Sequence, residues 1–186
     1  MVPRRLGRTG LTVGPLGLGL VKIGRNTGVT YKDSFDLPGD REVETLLDAA
    51  LDLGVNLWDT APAYGSSEER LGPYVKRFRE RIVLSTKCGE LFDGTRSTHD
   101  FSGPGLASSL EASLRRLKTD HVDILLLHSD GQDRKILGQT DAVETLVRFK
   151  REGKTRAVGI SAKTAEGIAD ASQSLDVVMA PFSLGD

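Results

Sequence analysis

The sequence predicts an α/β protein of the (β/α)8 barrel type (TIM barrel), truncated to about six strands and five helices behind an N-terminal hairpin. Three observations lead there. Short apolar runs of strand length alternate with stretches of helical periodicity, which is the signature of right-handed βαβ units and a parallel sheet. The runs do not alternate strictly with polar residues, so the strands are covered on both faces. Three successive runs also end in an ionisable residue, at Trp58-Asp59, Thr86-Lys87 and Leu127-His128. In a barrel such residues collect at the C-terminal edge of the strands, where its chemistry is found. An open dinucleotide-binding sheet would instead carry Gly-x-Gly-x-x-Gly between its first strand and first helix. Here Gly17 and Gly19 are followed by Gly24, which is the wrong spacing.

Residues 6–13 alternate around a glycine-containing centre and read as a small hairpin across one end of the barrel. Residues 16–19 form a short first strand. A polar loop, 24–40, follows, and its length is that of a functional lid. With Asp40 as N-cap, apolar residues at 43, 46, 47, 50, 51 and 53 keep helical spacing until Gly54 ends the helix. Strand 55–58 then leads to a helix over about 66–79. Ser66 or Ser67 caps it, and Glu68 and Glu69 sit in the first turn, where the helix dipole favours anions. Strand 82–86, a Gly- and Ser-rich loop and a helix over 103–117 come next, the helix with Leu106, Leu110, Leu114 and Leu117 on one side. Strand 122–127 leads through a charged loop to a helix over 140–151, and strand 155–160 to a helix over 164–174; strand 176–180 comes last. A complete barrel needs eight strands and typically ~250 residues. Residues 1–186 are therefore expected to form a single incomplete barrel domain, the first three-quarters of a larger fold. Its first and sixth strands would be open edges through which copies can self-associate.

Charge is balanced, 25 Lys+Arg against 26 Asp+Glu, so no nucleic-acid surface is expected. The single cysteine, Cys88, cannot form an internal disulfide, and no Cys/His cluster has metal-ligand spacing, so no metal is expected either. The apolar run 11–21 is broken by glycines and a proline and is far shorter than the ~20 residues of a membrane helix. A soluble, cytoplasmic protein is the resulting expectation, with Cys88 as a small buried residue and no role for His99 or His121.

If Asp59, Tyr64, Lys87 and His128 converge, they make a recognisable acid. A neighbouring ammonium stabilises a phenolate and so makes a phenol an easier proton donor. Lys87 would be that neighbour, held charged by Asp59, while His128 supplies a second hydrogen-bond donor to the same substrate oxygen. Two donors on one oxygen stabilise the negative charge that develops when hydride reaches a carbonyl carbon. None of the four can supply hydride, so a nicotinamide cofactor is required.

The segments Asp59-Thr60-Ala61-Pro62-Ala63-Tyr64-Gly65 with Ser67-Glu68, Ser85-Thr86-Lys87 and Leu126-Leu127-His128 resemble the signatures of the aldo-keto reductases. Val158-Gly159-Ile160-Ser161 and Asp176-Val177-Val178 resemble that family's fifth and sixth strands. The resemblance implies a (β/α)8 barrel and NADP(H)-dependent reduction of aldehydes or ketones, with Tyr64 as acid and Asp59, Lys87 and His128 in support. It further implies cofactor contacts from Ser161, Lys22, Asp59 and Met179. Ala162 and Met179 stand where the family has Asn and Gln. The competing reading is a catalytically impaired family member that acts as an interaction or regulatory module.

Overall fold

The computed structural model describes residues 2–29 and 35–182, so the middle of the expected 24–40 loop lies outside the described residues. Strands β1 (Arg4–Arg5) and β2 (Thr12–Val13) pair antiparallel as a hairpin whose first strand precedes the expected 6–13 stretch, most of which is its turn. The chain then runs through β3 (Gly17–Gly19), a 3-10 turn at Val21–Ile23, α1 (Asp40–Asp52), β4 (Leu57–Asp59), α2 (Ser67–Phe78), β5 (Val83–Cys88), β6 (Glu90–Phe92), β7 (Ser97–His99) and α3 (Gly103–Leu117). It ends with β8 (Val122–His128), α4 (Asp133–Gln139), α5 (Ala142–Arg151), β9 (Thr155–Ser161), α6 (Ala165–Ser174) and β10 (Val177–Met179). Strands β10-β9-β8-β5-β4-β3, in that spatial order, form a curled parallel sheet, a half-barrel. Among the described residues β3 pairs only with β4 and β10 only with β9, so these two are the edges.

The two-residue period of the strands divides the core. Trp58, Leu84, Leu125, Leu127, Val158 and Ile160 face the helices and join one large cluster with Leu47, Leu71, Leu106, Leu110 and Leu146. Leu57, Val83, Ile124, Leu126 and Ala157 face the concave side, where Leu11 and Val13 of the hairpin close the N-terminal end. Asp59 is two residues beyond Leu57, Lys87 four beyond Val83, and His128 two beyond Leu126. The pleat therefore carries all three to the concave face, above that apolar floor.

Several local expectations are corrected by packing. Asp40 opens α1 instead of capping it, and the cap is Gly39, whose N–H donates to Glu42 Oε2 at 2.7 Å. Neither Ser66 nor Ser67 caps α2 through its side chain: the Ser67 hydroxyl instead bonds Leu20 O and Thr60 Oγ1, each at 2.9 Å, which ties the loop after β4 to the end of β3. The Gly- and Ser-rich loop contains the hairpin β6–β7, and the charged loop contains α4, so the helix expected over 140–151 begins at Ala142. The helix expected from Thr164 begins at Ala165, with Thr164 as its cap, accepting from Gly167 N at 3.1 Å. Among the described residues no helix is long and apolar enough to cross a membrane, and among them no group of three or more His, Cys, Asp or Glu is placed to hold a metal.

Candidate active site at the C-terminal edge of the sheet

β4 delivers Asp59 and β5 delivers Lys87 to adjacent positions. Lys87 Nζ lies 2.5 Å from Asp59 Oδ2 and 3.0 Å from Thr60 O, while Asp59 Oδ1 accepts from Ser85 Oγ at 2.8 Å. The Lys87 side chain is 1% exposed and that of Asp59 14%. Burial by itself works against the ammonium, but the Asp59 carboxylate and the Tyr64 phenol outweigh it and leave the Lys87 pKa above its ordinary value. A buried lysine thus stays a cation.

Tyr64 comes from the loop behind Pro62, which is braced by a close backbone approach. Gly65 has φ of 59°, and a Cβ there would stand 2.2 Å from Gly24 O, so only glycine lets the two loops touch. Ser66 N donates to Gly24 O at 3.1 Å and Tyr64 N to Ala61 O at 3.0 Å. The Tyr64 ring lies with its centroid 4.6 Å from Lys87 Nζ and meets the His128 ring edge-on, 5.9 Å between centroids and 85° between planes. All four residues expected to converge are therefore brought together.

Two neighbours were not foreseen. Glu90, on β6, places Oε2 2.7 Å from His128 Nδ1. Arg25 stacks its guanidinium 3.6 Å from the centre of the Phe92 ring and donates to the carbonyls of Thr27, Ala63 and Gly28 at 2.8 to 2.9 Å. With Val21, Tyr64, Ser97 and His128 they line a cavity of about 340 Å³. Gly89 and Gly94, both with positive φ, bracket the short run Glu90-Leu91-Phe92 and were the signal for a hairpin in the sequence.

The remaining expected residues divide. Ser161 ends β9 level with both His128 and Met179, and its hydroxyl makes no hydrogen bond among the described residues. Met179 packs half-buried into the concave apolar cluster, and Ala162 is buried with its N–H on Met179 O at 3.0 Å. Lys22 is exposed and holds its ammonium 5.1 Å over the Phe35 ring, outside the Asp59–Lys87 cluster. Cys88 is fully buried, which pushes its thiol pKa far up and leaves it inert as expected.

The strands are held in place by buried charges on the helix side. Glu68, expected to serve the dipole of α2, is wholly buried, accepting from Thr86 Oγ1 at 2.6 Å and from Arg116 Nη2 and Nε at 2.6 and 2.8 Å. Asp133 accepts from Ser129 Oγ, from the backbone N–H groups of Lys163 and Thr164 at 2.9 and 2.7 Å, and from Thr164 Oγ1 at 2.7 Å. It thereby joins the loops that follow β8 and β9.

A family model described as the aldo/keto reductase family matches residues 15–183. The chain is 36% identical over 165 residues to L-galactose dehydrogenase of Arabidopsis thaliana, covering 85% of this chain and 47% of that protein. It is 33% identical over 196 residues to the NADH-specific methylglyoxal reductase of Escherichia coli, covering 97% of this chain and 59% of that protein. A solved structure from Pseudomonas aeruginosa described as an aldo-keto reductase is similar with a TM-score of 0.92 at 47% identity, over 100% of this chain and 69% of that one. The holo form of an aldo-keto reductase from Bacillus halodurans is similar with a TM-score of 0.81 at 28% identity, over 98% of this chain and 58% of that one. The chain thus spans about half to three-fifths of the length of these two curated relatives.

Proposed function

The chain belongs to the aldo/keto reductase family, and on that premise we propose that it serves NADPH-dependent reduction of aldehydes or ketones to alcohols, with Tyr64 as proton donor. The observation that carries this reading is a lysine ammonium, 1% exposed and 2.5 Å from a carboxylate, set 4.6 Å from the centre of a phenol ring. A phenol that gives up its proton beside a fixed cation leaves a stabilised anion.

The residues fit the nicotinamide end of the cofactor. Ser161 offers an unpartnered hydroxyl on the strand next to His128, suited to a carboxamide, while Ala162 and Met179 bring apolar contact only. Ser161 and Asp59 are the polar groups that would hold it. When bound, the reduced nicotinamide supplies hydride to the carbonyl carbon. The substrate oxygen lies in the cavity between Tyr64 and His128, and Tyr64 gives its proton to that oxygen as negative charge develops there. Lys87 stabilises the resulting phenolate until solvent returns a proton, and Asp59 keeps Lys87 charged and aimed. NADPH is proposed from the family resemblance; the E. coli relative is named for NADH, and kcat/KM measured with each cofactor decides between them.

Tyr64→Phe removes the transferable proton and keeps the ring. Reduction of a small aldehyde is expected to fall by about 10² to 10⁴-fold, the usual worth of a general acid, with cofactor affinity unchanged by fluorescence titration. Turnover at the wild-type rate would refute the role of Tyr64.

A further inference from the structure

Glu90 reaches the cavity from the hairpin β6–β7, an element with no part in the proposed proton donation. Its side chain is 13% exposed, and Oε2 stands 2.7 Å from Nδ1 of His128. Arg25 approaches its other oxygen to only 4.0 Å, with the guanidinium already engaged by three carbonyls and the Phe92 ring. Burial opposes ionisation of Glu90, but the His128 and Ser97 side chains beside it overcome that and bring the pKa down to about 2. The carboxylate is therefore charged at any working pH.

That charge dictates which nitrogen of His128 carries hydrogen. A bare Nδ1 lone pair 2.7 Å from a carboxylate oxygen repels it in any orientation, whereas Nδ1–H is attracted. The contact is an ion-pair approach off the axis of a well-aligned hydrogen bond, and Nδ1 has no other partner among the described residues. Neutral imidazole has one N–H, so Nε2, the ring nitrogen left for the cavity, holds a lone pair.

We propose that Glu90 is a positioning residue that keeps the single proton of neutral His128 on Nδ1, so that Nε2 faces the cavity as a bare lone pair and becomes a second donor to the carbonyl oxygen only when the ring is doubly protonated. The groups that face the ring favour the neutral state. Burial lowers the pKa of His128 below the ordinary 6.5; Glu90 opposes this, while Lys87 and Lys163 reinforce it. Tyr64 meets the ring edge-on, and Arg25 and His99 face it only through Glu90. At neutral pH Tyr64 is then the sole donor to the oxygen. As pH falls through the His128 value, Nε2–H joins it, and reduction gains an oxyanion contact of the kind whose loss costs about 10² to 10³-fold.

Nitrogen-15 NMR of the labelled chain tests this without cofactor or turnover, with the His128 signals identified by their loss in His128→Gln. The Nδ1–H tautomer at pH 8 is the expected result; a dominant Nε2–H tautomer overturns the proposal. In Glu90→Gln, whose amide can either accept from Nδ1–H or donate to bare Nδ1, a mixture of tautomers is expected. The kinetic arm rests on the reductase reading. Wild-type kcat/KM for reduction rises up to tenfold per pH unit as pH falls toward the His128 value and levels off below it, and Glu90→Gln flattens that rise; an unchanged profile in the variant overturns the proposal. A wild-type ring with Nδ1–H and no reduction at any pH supports the tautomer assignment and overturns the reductase reading instead.

Discussion

Replacing Asp59 by Asn leaves the Lys87 ammonium 1% exposed and without its counter-ion. Removing one partner of a buried ion pair costs about 3 to 5 kcal/mol. Asn keeps one oxygen in place, and Thr60 O still accepts from Nζ at 3.0 Å, so the lower end, about 3 kcal/mol, is expected. For a chain of this size that corresponds to a drop of about 6 to 12 °C in Tm. The sign of the pH dependence sharpens the test. In the wild type the pKa of Lys87 is raised above 10.5, so its contribution is complete below that value and is lost only as pH rises through the folded-state pKa. In Asp59→Asn burial is left without its main opponent and pulls the folded-state pKa below that of the unfolded chain. The penalty then grows as pH falls from about 10 toward neutrality. Urea unfolding followed by far-UV circular dichroism at pH 7 and pH 9.5 reads both effects. Asp59→Asn should lie closer to the wild type at the higher pH, and Asp59→Asn with Lys87→Met should recover most of the loss at pH 7. Equal unfolding midpoints for wild type and Asp59→Asn at pH 7 would refute the reasoning.

Two further substitutions probe the supports of the site. Glu68→Ala removes the acceptor shared by Thr86 and Arg116 and should lower stability by about 3 kcal/mol, as a buried pair does when broken; chemical denaturation checks it, and a loss below about 1 kcal/mol, the range of an exposed pair, would count against it. Gly65→Ala forces a Cβ against Gly24 O at a φ of 59°, so it should cost about 1 to 2 kcal/mol. It should also cut turnover more than Tm suggests, because the loop that carries Tyr64 has to move.

What was legible in the sequence was the part governed by local pattern. Asp59, Lys87 and His128 each end an apolar run, and a period of two is enough to place them on one face once the strands are parallel. Tyr64 was legible because Pro62 and Gly65 fix the loop around it. Glu90 was hidden because its place depends on antiparallel pairing of residues 90–92 with 97–99 inside what reads as a loop. The short α4 was hidden because only Ile136 and Leu137 join the core along its length. Ser67 and Glu68 look like helix-start residues, and their partners Leu20 and Arg116 stand 47 and 48 residues away. Local propensity yields there to tertiary contacts that no short window contains. Met179 and Ala162 were legible as departures from the family pattern, and their apolar surroundings agree with their chemistry.

The central claim is that hydride reaches a carbonyl carbon while the Tyr64 phenol protonates its oxygen. Reduction of an aldehyde with NADPH deuterated at the transferring C4 position, the alcohol being analysed by mass spectrometry, tests it most directly. One deuterium on the former carbonyl carbon, at a rate that falls at least about 100-fold in Tyr64→Phe, is the predicted result. Alcohol free of deuterium, or equal rates in the two proteins, would contradict it.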